Sequence, residues 1–267
     1  MYVLITQESY SDVMKFIDEA PEYNAHMQAA LIRHGFPNSS LKIWALHEKK
    51  RIAGVIVILN ESAIVYEPQS SNFRHLLDFF SWNHVRAITG PRYLTDVIRA
   101  YVEEKKYDVT TIARLDSLQS IRQIKEERLR EINSNLPYLE GYNLLNIKEK
   151  IILQNHVFDM DVDIYHEGIY QLLEAKALNG YMIRVQGRVV AVGEWLNQHP
   201  VFGLIVGIAT HEEYRNRHFA LGISISLCEE IVHMGKIPLL RYSNPIAGQL
   251  YHKMGFVDIG DFGTLYM

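Results

Sequence analysis

Several things are scarce in this chain. It has one cysteine in 267 residues, which excludes an intramolecular disulfide and any multi-cysteine zinc cluster. No stretch approaches the roughly 18 apolar residues that a membrane helix needs, and no basic flank leads into an apolar run at the N-terminus. No membrane partner is expected, and a cytoplasmic location is. Positive charge is not in excess either: 27 Lys plus Arg stand against 31 Asp plus Glu, for a formal net charge of −4. A protein that neutralises phosphate backbones is usually basic, so no nucleic-acid partner is expected. Low-complexity runs and clean internal repeats are also missing. What remains is rich in core-forming residues, at 48% hydrophobic with 16 Tyr and 10 Phe. That suits one large or two medium globular domains.

The best boundary falls near 116–140. There Ser120–Glu131 reads as a polar helix, broken by Asn133, Ser134, Asn135 and Pro137. Domains of 1–135 and 136–267 follow. In the first, Asp12–Glu19 has helical spacing, Leu41–Leu46 and Ile52–Leu59 form a hairpin that continues through Ala63–Tyr66, and Phe73–Asn83 and Thr95–Lys105 look helical. In the second, Lys148–Gln154 and Tyr181–Val185 read as strands around a helix at Ile164–Leu178. A hairpin, Arg188–Leu196 and Val201–Ala209, turns across Asn197–Pro200. Helix Phe219–Met234 stops at Gly235, and strand Ile237–Tyr242 precedes a helix opened by Pro245 and a strand Phe256–Ile259. Helices alternating with strands after a hairpin define an α/β (α+β) fold on a mixed central sheet.

Chemistry concentrates between strand 201–209 and helix 219–234, in Thr210-His-Glu-Glu-Tyr-Arg-Asn-Arg-His218. A helix N-terminus presents unpaired amides and the positive end of its dipole, so it can hold a phosphate in a mildly acidic protein. Arg215 and Arg217 add cations there. A solvated charged loop is the competing reading.

Two elements resemble the GNAT superfamily of N-acetyltransferases. The pyrophosphate loop, Arg/Gln-x-x-Gly-x-Gly/Ala in that family, is here Arg215-Asn216-Arg217-His218-Phe219-Ala220. The second element is Asn244, Ala247, Tyr251, Gly255 and Phe256, spaced as Asn-x-x-Ala-x-x-x-Tyr-x-x-x-Gly-Phe. The resemblance covers about 145–267, and residues 1–115 have a faintly similar element order, so a tandem of two such units is expected. It implies acetyl-CoA as cosubstrate and an amine of a small molecule or protein as acceptor. It implies backbone groups of Ile208, Ala209 and Thr210 along the pantetheine arm, amides of 215–220 around the pyrophosphate, and Asn244 at the pantetheine end. Tyr251 would be the general acid for the departing thiolate, with a packing tyrosine one helical turn before the stop as the competing reading.

Two positions depart from the pattern. His218 stands where the family has a loop glycine, a residue that relieves sterics and tolerates positive φ. Leu204 stands where several members carry a glutamate base. Glu194, on the partner strand, is the substitute, with an ordinary exposed strand carboxylate as the competing reading. These departures keep a non-catalytic CoA-binding or interaction module as the alternative function. Oligomeric state stays open, a homodimer among the options. Other features carry less. Asp159, Asp161 and Asp163 mimic a calcium loop, but Ile164 and Tyr170 occupy its glycine and glutamate places, so an acidic helix start is expected. His211 and His218 are not spaced as metal ligands, and no metal is expected. Cys228 reads as buried. Lys49, Lys50 and Arg51 read as a solvated turn, and Trp44, Tyr66 and Trp82 as core or substrate-facing aromatics.

Overall fold

In β3 (Arg51–Leu59) the run Val55-Ile-Val-Ile58 has no polar interruption, the pattern of a strand covered on both faces. The computed structural model, which describes residues 2–34, 41–48, 51–68, 74–135, 138–160 and 166–267, bears this out. Val55 and Val57 join Val13 and Ile17 of α1 (Tyr10–Ile17) and Met27 and Leu31 of α2 (Pro21–His34). Ile56 and Ile58 join Leu76 and Phe80 of α3 (Arg74–Trp82) and Leu94 and Ile98 of α4 (Arg92–Arg99). Each such side chain contributes about 1.5–3 kcal/mol by leaving water.

The chain divides into two compact units, residues 1–112 with 258–267, and residues 113–257. In the first, β1 (Tyr2–Leu4), β2 (Leu41–Glu48), β3 and β4 (Ser62–Tyr66) pair antiparallel in sequence order. β5 (Ala87–Pro91) then lies parallel to β4. The last strand of the unit's sheet to be reached in sequence, β12 (Val257–Tyr266), pairs antiparallel with β5, and β6 (Lys106–Arg114) follows it.

In the second unit β7 (Leu139–Gly141), β8 (Leu178–Val185), β9 (Arg188–Leu196) and β10 (Phe202–Thr210) are antiparallel neighbours, and β11 (Ile237–Tyr242) lies parallel to β10. Helices α6 (Ile147–Phe158) and α7 (His166–Glu174) follow β7, α8 (Phe219–His233) follows β10, and α9 (Pro245–Lys253) follows β11. Both units run β-α-α-β-β-β-α-β-α, with one parallel pair at the same place. The expected mixed α/β tandem is therefore present as topology, without a sequence repeat. α8 covers one face of the second sheet through Ile223, Leu227, Cys228 and Ile231, packed with Trp195, Tyr251 and Phe256. α6 covers the other, with Leu153 packed on Met182, Val192 and Ala209.

Some expectations need correction. Lys148–Gln154 is not a strand but the body of α6. Two asparagines start that helix: Asn143 Oδ1 accepts from the amides of Leu145 and Asn146, and Asn146 Oδ1 accepts from that of Asn143. Asp159 does not open an acidic helix; it closes α6 with φ +51°, while Asp161 and Asp163 lie outside the described residues. α2 and β6 were not expected. The compact units part at 112/113, not 135/136, so α5 (Gln119–Asn135) falls in the second unit and most of β12 in the first. Of the basic turn, Arg51 is exposed, and Lys49 and Lys50 lie outside the described residues. Trp44 and Tyr66 pack in the first unit's cores, whereas Trp82 is 78% exposed.

Candidate active site

The centre of the second unit is β10, whose sequence FGLIVGIAT carries a glycine in mid-strand. Glycine there signals a bulge or a close approach. Gly207 adopts φ +63°, and the β9 register slips by one residue between Val206, opposite Glu194, and Ala209, opposite Val192. On its other edge β10 pairs with β11 only from Phe202 to Ile205. β10 continues to Thr210 and β11 to Tyr242, so past Ile205 the β11 edge of β10 carries no ladder. A bulge and a parted parallel pair coincide on one strand.

Ile208, Ala209 and Thr210 all lie in this parted stretch. Ala209 and Thr210 keep register with β9, and the Ile208 side chain turns toward α8, where it would meet a Cβ placed on Gly193. The hydroxyl of Thr210 is buried with no hydrogen-bond partner among the described residues. Beyond it His211 caps a single 3-10 turn, Glu212–Tyr214. Arg215, Asn216, Arg217 and His218 are exposed, and Asn216 and His218 have φ of +62° and +61°. His218 thus takes the left-handed conformation that suits glycine, at a cost of about 1–2 kcal/mol. It is the N-cap of α8 and gives no side-chain cap; the first helical bond runs from the Gly222 amide to the His218 carbonyl. The amides of Phe219, Ala220 and Leu221 consequently have no acceptor within the helix. Arg215 Nε donates to the Thr210 carbonyl and Arg217 Nη2 to that of Glu213, at 3.3 and 3.4 Å.

On α9, Asn244 is an N-cap: its Oδ1 accepts from the Ile246 amide at 2.9 Å. Tyr251 is buried between Tyr242 and Phe256, with both ring centroids 5.8 Å away. Burial, then the nearby Cys228, pushes its phenol up to about 12, so it holds its proton. Cys228 is fully buried as expected, its thiol pushed up by loss of water.

The structure departs most from expectation at Glu194. It is not an exposed carboxylate but 6% exposed, on the α6 face, with Lys150 Nζ 2.8 Å from Oε2. Burial pushes its carboxyl above the usual range, and the opposing pull of Lys150 and Gln154 does not cancel it. Leu204 is buried core. Tyr251 packs with α8 and Glu194 with α6, so the two are not brought together but stand on opposite faces of the sheet. Lys150, Gln154 and Gly207 escaped sequence reasoning. The glycine inside a strand pattern was the signal available for the bulge, whereas the 150/154 pair is visible only on a helix.

A second cluster lies where α6 ends. His156 stacks on buried His211, Nε2 of His156 is 3.3 Å from each Glu212 oxygen, and one donor atom from each of the three lies within 4.8 Å of the others. Arg188 Nη2 stands 2.7 Å from His211 Nε2. Arg188 thus engages one ring nitrogen of His211, while the other, Nδ1, lies 3.8 Å from Glu212 Oε2. The cavity beside it, of about 350 Å³, is lined by Ile152, Leu153 and Val189 together with Glu149, His156, Arg188 and His211.

A bulged strand that leaves its parallel partner, followed by a helix whose first amides are open, defines an acyl-CoA N-acyltransferase fold. The family model for GNAT acetyltransferases matches residues 50–265, and the chain belongs to that family. No curated protein sequence matches it. Among solved structures it is similar to a GCN5-related N-acetyltransferase from Sphaerobacter thermophilus, with TM-score 0.67 and 10% identity over 100% of this chain and 95% of that one. It is also similar to a tandem GNAT protein from the clavulanic acid biosynthesis pathway, with TM-score 0.60 and 11% identity over 99% and 97%. A GNAT acetyltransferase from Colwellia psychrerythraea gives TM-score 0.58 and 12% identity over 100% and 99%. At such identities the likeness is one of fold. Family and fold together support acyl transfer as the class of chemistry.

Proposed function

We propose that the second unit transfers an acetyl group from acetyl-CoA to a primary amine of a small molecule or protein. The observation that carries this reading is the coincidence of the β10 bulge, the parted β10–β11 pair and the open amides of α8 on one continuous segment, 206–221. The diphosphate suits the amides of Phe219, Ala220 and Leu221, with Arg215 and Arg217 beside them. The pantetheine arm suits the edge of Ile208–Thr210 that has no ladder with β11, where the buried Thr210 hydroxyl has no hydrogen-bond partner among the described residues. Acetyl-CoA supplies an activated thioester.

The chain's residues then divide the proton work. Glu194, acting through a water, takes the proton that the attacking amine sheds; a carboxyl raised by burial is a better base for that purpose. Bulge amides favour charge developing on the acetyl oxygen. Tyr251, neutral and on the opposite face, gives its proton to the departing thiolate. Amine approach and thiolate departure thus use opposite faces of the sheet.

The test is thiol release from acetyl-CoA across a panel of primary amines, with Tyr251→Phe as control, alongside CoA calorimetry. Release that falls in the variant supports the reading. Binding without turnover across the panel favours a non-catalytic CoA-binding module, for which the commitment of Glu194 to Lys150 and of Asn244 to a cap speaks. Absence of CoA binding overturns both.

A further inference from the structure

Lys150 and Gln154 lie one helical turn apart on α6 and are 1% and 6% exposed. Their heads reach the same spot. Lys150 Nζ meets Glu194 Oε2 at 2.8 Å, while Gln154 Nε2 donates to the Gly207 carbonyl at 2.8 Å and lies 3.4 Å from Glu194 Oε1. An ammonium and a carboxylate taken out of water lose hydration that their attraction seldom repays in full, so this pair is poor evidence of a stability device. A bulge also disrupts the local ladder, and a buried carbonyl there needs a donor. Gln154 is that donor. The fit is close: a Cβ on Gly207 would stand 2.2 Å from Gln154 Nε2 and 3.0 Å from Glu194 Oε1.

We propose that Lys150 and Gln154 are positioning residues for acetyl transfer, a clamp from one turn of α6 that holds the Glu194 carboxylate against the β10 bulge. Lys150 orients the carboxylate and keeps it ionised; Gln154 keeps the bulge in one shape. The role rests on reading Glu194 as the base. Among the described residues, the ionisable groups facing Glu194 are Lys150 and Tyr142, and β8 and β10 offer Gly180, Val206 and Gly207. Burial pushes the Tyr142 phenol well up, so it stays neutral and Lys150 is the cation that sets the titration of the carboxylate.

The test uses the full chain. Carbon-13 NMR of labelled glutamate, assigned by difference with Glu194→Gln, gives the titration midpoint of Glu194. Lys150→Met is expected to raise that midpoint by about one to three pH units, the effect of removing an opposite charge at this range. Lys150→Arg restores it. Lys150→Gln, which drops the charge but keeps a donor, is the second variant should the methionine fail to fold. Gln154→Met is expected to speed amide exchange at Ala209, which pairs with Val192 just past the bulge, roughly five- to tenfold, as loss of one hydrogen bond would. An unmoved midpoint without the Lys150 charge, or unmoved exchange in Gln154→Met, overturns the clamp. Undiminished thiol release in Glu194→Gln, with both readouts moved, overturns the base reading instead.

Discussion

The two units share an element order and a parallel strand pair, yet only in the second does the strand before that pair carry a bulge. In the first unit β4 has five residues and pairs with β3 without a register slip, from Val55 opposite Tyr66 to Leu59 opposite Ser62. In the second, the equivalent β10 has nine residues, a bulge at Gly207 and an edge released by β11. Both parallel pairs stop short of their strands' ends, β4–β5 at Ile64 opposite Thr89 and β10–β11 at Ile205 opposite Leu240, so what sets the second unit apart is the bulge. Topology repeated twice is thus a scaffold, and the irregularity of one strand distinguishes a candidate site from a copy of its frame.

The largest effect is expected from removing residues 258–267, which takes from β5 its β12 neighbour and buries nothing in return for Phe262 and Leu265. Limited proteolysis should then cut within 1–112 far faster, and equal resistance would mean that β12 is dispensable to that unit. Next comes Gly207→Val, which adds side-chain bulk at φ +63° where Gln154 already sits. A loss of about 1–3 kcal/mol in denaturant unfolding is expected, together with loss of CoA binding in calorimetry. Wild type should bind one CoA per chain, and two would show that the first unit also holds one.

Glu194→Gln should lower kcat about a hundredfold or more, the usual worth of a positioned base. The sign of the pH effect is fixed. The base must be ionised, and burial raises its carboxyl, so activity should fall on acidification at a pH above the ordinary carboxylate range of about 4.3. Stability runs the other way: a carboxyl raised on folding contributes least once pH has climbed past its folded value. The smallest effect belongs to His218→Gly. Relief of a left-handed non-glycine residue should stabilise by about 1 kcal/mol in thermal or denaturant melts, and an unchanged melt would mean that His218 makes up the strain through its own contacts.

The stretch from β9 to α9 was legible because its signals are local. A turn at 197–200, Gly235 after α8, and Asn244-Pro245 at the start of α9 each act on their neighbours in sequence. The remainder was decided by partners far along the chain. α2 buries Asn24 and Gln28, and the Asn24 amide donates to the Ile17 carbonyl, so the apolar period that betrays a helix is interrupted. α6 buries Lys150 and Gln154 for Glu194, which made its apolar residues look like a short strand. The pyrophosphate-loop residues were readable from spacing, whereas the environment of Glu194 was not, because a carboxylate on a strand does not announce which helix will cover it.

The placement of β12 has a consequence for biosynthesis. Its partner β5 is made some 170 residues earlier, counting from Ala87–Pro91 to Val257–Tyr266, and at about 5–20 residues per second a ribosome takes roughly ten to thirty seconds to cover that gap. The portion translated first therefore waits with an open sheet edge while the second unit is already emerging, and it is completed last.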